Sequence, residues 1–201
     1  MERPIIQKIA IVGGTHGNER TGVELLKRWE REPHLVQRPG LDATAYCANP
    51  AAVLANRRYI ESDLNRCFSS SVLENPKQGL LEEERAKQIN RELGPRGSAE
   101  APDLCIDIHN TSSNMGLALI VNELDPFIKK LLAHLAANEP LVRLYYQPLE
   151  SPDSPFLPSI GKRDLTIDAG PQHHGTLSAD LFIRTERLVQ EILDFTSVWN
   201  H

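Results

Sequence analysis

Apolar and polar positions fall into two rhythms along this chain. Short apolar runs bounded by glycine, proline or asparagine predict strands at residues 7–12, 41–47, 104–109, 117–121, 142–146 and 165–168. Between them, apolar residues recur at helical spacing. Residues 19–31 carry Val23, Leu25, Leu26 and Trp29 on one side, and residues 126–138 carry Phe127, Ile128, Leu131, Leu132 and Leu135. A charged helix over 81–93 stops at Gly94-Pro95, and a last helix over 181–199 buries Leu181, Leu188, Val189, Ile192, Leu193 and Phe195. Strands interleaved with helices predict an α/β sheet covered by helices on both faces. Residues 147–162 contain four prolines and read as a loop. With no repeat or low-complexity tract, residues 1–201 are expected to form one domain.

Composition narrows the function classes. The 201 residues are 40% apolar and 24% charged, ordinary for a globular protein, and no apolar run is long enough to span a membrane. A formal net charge of −5 argues against a nucleic-acid binder, while leaving room for a small anionic substrate held by a few arginines. The first dozen residues, with Glu2, Arg3 and Lys8, lack the apolar core of a secretory leader. Cys47, Cys67 and Cys105 are odd in number and form no Cys-x-x-Cys pair. Buried, reduced thiols in a cytoplasmic protein are the expectation.

The first chemical signal is Gly13-Gly14-Thr15-His16-Gly17-Asn18-Glu19, between a strand and a helix. A dinucleotide fingerprint counted from Gly13 would need glycine where Thr15 and Asn18 stand, and the Gly-Lys-Ser/Thr of a phosphate loop is missing. What remains is His-x-x-Glu at the mouth of a sheet, where α/β proteins place ligands. Taken alone, the pair also reads as a helix cap beside a solvated glutamate. The strand ending Asp107-Ile108-His109-Asn110 supplies a third candidate. Two histidines and a carboxylate with an open fourth position form a catalytic zinc set, so His16, Glu19 and His109 are the candidate ligands of one Zn2+ per chain. Residues two apart on a strand share a face, so Asp107 can orient a ligand histidine, or simply pair with a nearby base.

Four ordered segments, GGTHGNERTG, NP…RRYIESDLNR, DIHNTSSNMG and DAGPQHHGTL, resemble the aspartoacylase and aminoacylase-3 family, relatives of zinc carboxypeptidases and succinylglutamate desuccinylase. The resemblance covers nearly the whole chain. It implies a carboxypeptidase-like mixed sheet flanked by helices, one zinc on His16, Glu19 and His109, and hydrolysis of an N-acyl amino acid such as N-acetylaspartate. It implies further that Arg58 polarises the scissile carbonyl, that Asn65 and Arg66 grip the α-carboxylate, and that Asp168 is the general base and acid. Cytosolic homo-oligomers are common in the family, and the implied partner is a small molecule rather than nucleic acid or membrane. Arg57, beside Arg58, reads as solvated.

The chain departs from the family pattern in three places. Asp168 stands where the family has glutamate, one methylene longer, and a misplacement of about 1 Å can cost on the order of a hundredfold in rate. Pro158 and Ser154 align with the arginine and tyrosine that bind an aspartate side chain, with Lys162 and Arg163 as nearby substitutes or surface charges. The sequence stops at His201, so the family's β-rich C-terminal domain is expected to be lacking and the pocket more open. These departures motivate two alternatives: an aminoacylase-3-like enzyme for N-acetyl aromatic amino acids, and a zinc-binding, catalytically weakened pseudoenzyme. His173 and His174 read as loop histidines or proton carriers. Asn110, Asn114 and Met115 are expected to shape the pocket wall.

Overall fold

A computed structural model describes residues 4–149, 151 and 153–201. Met1, Glu2 and Arg3, and Glu150 and Pro152 of the expected loop, lie outside the described residues. Six strands form one mixed sheet: β1 (Lys8–Gly13), β2 (Asp42–Cys47), β3 (Leu104–Asn110), β4 (Gly116–Val121), β5 (Val142–Tyr146) and β6 (Asp164–Gly170), in the order β2-β1-β3-β6-β4-β5. All neighbours run parallel except β4 and β6. The helices are α1 (Arg20–Arg31), α2 (Pro50–Ala55), α3 (Ser70–Leu73), α4 (Leu81–Leu93), α5 (Pro126–Asn138) and α6 (Ala179–Trp199).

Alternation along the strands sorts the core into two layers. Ile9, Ile11, Ile106, Ile108, Leu165 and Ile167 face α1, α5 and α6, whose Leu25, Trp29, Phe127, Leu131, Val189 and Ile192 are buried against them. On the other face Ala10, Val12 and Cys105 meet Ile89 and Leu93 of α4 with Leu64, Phe68, Leu157 and Ile160. Expected helical cover on both faces is therefore found over β1 and β3. Over β4 and β6 that second face is instead the floor of a cavity, presenting Ile120, Asn122, Thr166 and Asp168. The edge strand β5 leaves Leu144, Tyr145 and Tyr146 exposed.

Local chemistry explains the element ends. Asp125 accepts the Ile128 N–H with Pro126 in the first turn of α5, and Ser178 accepts the Leu181 N–H to start α6. Asn49-Pro50 both stops β2 and starts α2, because the Asn49 side chain accepts the Ala52 N–H. The sequence pattern shows only the stop. It also passes over α3 and the 3-10 turns Leu64–Arg66 and Leu157–Ile160, which are too short to show a period. Leu157–Ile160 lies within the segment expected to be loop, and its Leu157, Pro158 and Ile160 are buried.

Candidate active site

β1 turns outward to β2 on one side and pairs with β3 on the other, so the chain order reverses between them. Such a switch point opens a crevice at the C-terminal strand ends. The turn after β1 enters it. Gly14 adopts φ +70, which favours glycine. Gly17 lies so close to α2 that a Cβ there would stand 2.0 Å from the Ala52 carbonyl carbon.

His16 and Glu19, from this turn, meet His109 from the end of β3, and all three are buried. Glu19 Oε1 lies 2.7 Å from His16 Nδ1, and Oε2 lies 2.8 Å from His109 Nδ1. The two Nδ1 atoms are 3.2 Å apart. The outer nitrogens are also engaged: His16 Nε2 meets Asp63 Oδ1 at 2.9 Å and His109 Nε2 meets Asp107 Oδ2 at 2.7 Å. Asp107 is fully buried and its other oxygen accepts the Thr15 hydroxyl.

In the neutral tautomer that donates each Nε2–H to a carboxylate, both Nδ1 lone pairs point at each other and at Glu19. Converging acceptors of this kind call for a cation, and their donor atoms all lie within 4.8 Å of one another. Neutral imidazole nitrogens and one carboxylate are a donor set that suits zinc. The residues present thus fit the group that the resemblance implies.

Glu19 occupies the N-cap position of α1 but makes no cap bond, since its carboxylate is turned to the histidines. Asn110 caps the helix in its place. The Asn110 Oδ1 accepts the Thr21 N–H at 3.0 Å, while its amide donates to Thr21 Oγ1 and to the Ala169 carbonyl. Glu19 in return accepts the Asn110 N–H.

The electrostatics follow from this packing. Burial alone would raise the Glu19 carboxyl, but the charge and hydrogen bonds of both histidines outweigh it and hold it well below the usual carboxylate range. Burial would lower both imidazoles, yet hydrogen bonds that His16 donates to Asp63 and Glu19 raise it, and Asp107 with Glu19 raises His109 further. Asp63 is likewise held low, against its burial, by His16 and Arg58.

Asp168 sits opposite His109 in the β3–β6 register. Burial raises its carboxyl, and its buried Oδ1 has no hydrogen-bond partner among the described residues. Arg58 bridges Asp63 (Nη2 to Oδ2, 3.1 Å) and Glu19 (Nη1 to Oε1, 3.4 Å) at the rim. Asn65 Oδ1 accepts the Leu157 N–H, and its amide N–H groups have no partner among the described residues. The Arg66 guanidinium lies 4.8 Å over the Phe156 ring. All four side chains line one cavity of about 480 Å³ together with His16, Glu19 and His109.

Other sequence candidates fall elsewhere. Asn114 and Met115, expected in the pocket wall, instead border a separate shallow depression beside Leu144 and Tyr145. The backbone turns away at Gly116, φ +67, which carries the preceding residues off the cavity. Asn110 does line the cavity. Lys162 and Arg163 are committed to Asp103 and Asp125, at 2.9 and 2.6 Å. His173 and His174 are exposed, with His174 at the cavity rim. Arg57 is exposed. The sequence pattern did not single out Asp63 as the partner of His16. Its signal was available, since a ligand histidine commonly needs a carboxylate behind it and Asp63 stands just before Leu64-Asn65-Arg66.

The succinylglutamate desuccinylase/aspartoacylase catalytic domain matches residues 5–196. A probable aspartoacylase from Trichodesmium erythraeum is 44% identical over 195 residues, covering 97% of this chain and 66% of that protein. The N-acyl-aromatic-L-amino acid amidohydrolase (carboxylate-forming) of Homo sapiens is 38% identical over 98% of this chain and 64% of its own length. The crystal structure of murine aminoacylase 3 superposes with a TM-score of 0.95 at 37% identity, over 99% of this chain and 67% of that one. The chain therefore spans about two thirds of the length of the relatives it matches.

Proposed function

The chain belongs to the succinylglutamate desuccinylase/aspartoacylase catalytic-domain family, and from that premise we propose that it hydrolyses the amide bond of an N-acyl amino acid to a carboxylate and the free amino acid. Residues 1–201 act in this reading as one catalytic domain. His16, Glu19 and His109 hold a single zinc ion, which when bound supplies Lewis acidity to polarise a carbonyl and ready water for attack near neutral pH.

The chain's own groups do the rest. Asp168 takes the proton from the attacking water as the new C–O bond forms, and returns it to the departing amine nitrogen as the C–N bond breaks. Arg58 donates to the carbonyl oxygen as negative charge builds there, worth about 3 kcal/mol. Arg66 offers its paired N–H groups to the α-carboxylate, with the free Asn65 amide beside it.

The observation that carries the reading is the convergence of both Nδ1 atoms on Glu19, backed by carboxylates on both Nε2 atoms, with Asp168 opposite, its Oδ1 without a partner among the described residues. N-acetylaspartate and N-acetyl aromatic amino acids are the first substrates to try, the latter because the human relative carries that activity in its name. A weakened, zinc-binding pseudoenzyme is the second reading, favoured by the short aspartate at 168. Acetate release by the zinc-loaded chain across a panel of N-acetyl amino acids tests both. Release that a chelator and His109→Ala abolish supports the hydrolase. Bound zinc with no release from any substrate, unrescued by Asp168→Glu, sinks it in favour of the pseudoenzyme.

A further inference from the structure

The cavity does not stop at the metal residues. Alternation along β6 turns Asp164, Thr166 and Asp168 into it. At about 3.3 Å per residue, the backbones of Asp164 and Asp168 stand roughly 13 Å apart. Asp168 marks the reacting end. Asp164 marks the far end, where Asn122 and Glu123 join it from the chain just after β4.

No described group at the far end balances those carboxylates. Asp164 accepts the Asn122 N–H at 2.9 Å. Lys162 lines the same cavity, but its ammonium is paired with Asp103, and Arg163 is paired with Asp125. Pro158 and Ser154, which line the same cavity, bring no cation either. Burial, with the Glu123 charge adding to it, pushes the Asp164 carboxyl up to about 6, as befits an anion without a counter-ion. The basic side chains Arg58 and Arg66 stand with Asn65 at the reacting part of the cavity.

A substrate whose carboxylate meets Arg66 and whose amide carbon lies beside Asp168 directs its side chain along β6 toward Asp164. Resting on the acylase reading above, we propose that Asp164 is a specificity-determining residue that selects a long basic side chain, so that the substrate class is an N-acyl derivative of an arginine-, lysine- or ornithine-like amino acid. The longest such side chain, arginine at roughly 7 Å extended, plus a hydrogen bond of about 2.8 Å covers most of that distance and the Asp164 side chain reaching toward it covers the rest, whereas alanine or aspartate falls well short. A side-chain carboxylate would also meet two like charges, which selects against it. The cavity of about 480 Å³ lies within the ordinary range for a molecule of this size.

The test is calorimetric binding of N-acetyl-L-arginine, N-acetyl-L-alanine and N-acetyl-L-aspartate to the zinc-free and zinc-loaded chain, with kcat/KM for all three. The arginine derivative binds at least tenfold tighter than the alanine derivative, and the aspartate derivative binds weakest. Asp164→Asn, which retains an acceptor for the Asn122 N–H, lowers the arginine-to-alanine ratio at least tenfold in binding and in turnover; Asp164→Glu restores part of it. Equal or tighter binding of the aspartate derivative, or an arginine preference that survives Asp164→Asn, overturns the assignment. The same preference in a chain that hydrolyses neither these three nor N-acetyl aromatic amino acids upholds the assignment and removes the acylase reading instead.

Discussion

Asp63 joins three parts of the site, so replacing it by asparagine should separate metal affinity from turnover. One carboxylate oxygen takes His16 Nε2 at 2.9 Å and the Asn65 N–H at 3.0 Å, and the other takes Arg58 Nη2 at 3.1 Å. Asparagine keeps a neutral acceptor for His16 and Asn65 but turns an amide donor toward Arg58. Trading a charge-assisted bond for a neutral one costs about 1–1.5 kcal/mol. That predicts zinc binding weakened about tenfold, within the roughly 10–100-fold range seen when the partner of a ligand histidine is changed. Arg58 is partly exposed, so its donor-to-donor clash is relieved by moving into water, which misaims it and lowers kcat rather than stability. The assay is competition with a chromophoric chelator for zinc, beside acetate release at saturating zinc. Repeating Asp63→Asn in an Arg58→Ala background completes a double-mutant cycle. The zinc defect should persist there, since it acts through His16, while the kcat defect should vanish. Unchanged zinc affinity in Asp63→Asn, or a zinc defect that disappears with Arg58, would refute the reasoning.

Four further outcomes are expected. Asp168→Asn should lower acetate release by at least about a hundredfold while leaving zinc stoichiometry at one, as proton-transfer groups typically contribute that much; a smaller loss would deny it the proton. Because the Asp164 carboxyl is raised to about 6 from an ordinary 3.8, the folded state holds its proton more tightly than the unfolded chain. This group's effect on stability is therefore most favourable below pH 4 and is lost as pH climbs through about 6; Asp164→Asn should be more stable than the parent at pH 8 by up to about 3 kcal/mol, with no such gain at pH 4 in urea titrations at both values. Gly17→Ala should push the His16 turn off α2, costing roughly 1–3 kcal/mol in thermal or urea unfolding and weakening zinc binding as well; a variant unchanged in both would mean the 2.0 Å approach relaxes freely. Stripping zinc with a chelator should lower the melting temperature, because zinc at a hundred times its Kd stabilises the fold by about 2.7 kcal/mol; an unshifted melt would mean that the folded chain does not bind zinc in preference to the unfolded one.

The strands and long helices were legible because their periods are long enough to read: α4, α5 and β5 begin and end where the pattern puts them. Short elements were not. α2 is held by the single Asn49 cap, and α3, which has no cap of its own, by the Asp153 carboxylate that accepts the Ser70 N–H, rather than by a repeating stripe. The grouping of His16, Glu19 and His109 was legible because two motifs at strand ends, plus the likeness to a family, converge on one crevice. Asp63 and Asp164 were harder, since a carboxylate's role depends on what lies across the sheet or the loop from it. Asn114 and Met115 misled for the same reason, because adjacency in a motif does not survive the turn at Gly116.

The arrangement at the start of α1 divides labour between two residues, and that division bears on how such a site can diverge. Glu19 holds the cap position without capping, and Asn110 caps from another strand. Drift at position 19 would therefore alter the metal chemistry and release the Asn110 N–H while leaving the Asn110 side-chain bond to the Thr21 N–H in place, so new ligand sets are reachable without removing the cap of α1. Drift at Asn110 would strike α1, β3 and β6 together. In a lineage that abandons catalysis, the acidic position is free to wander long before the asparagine is.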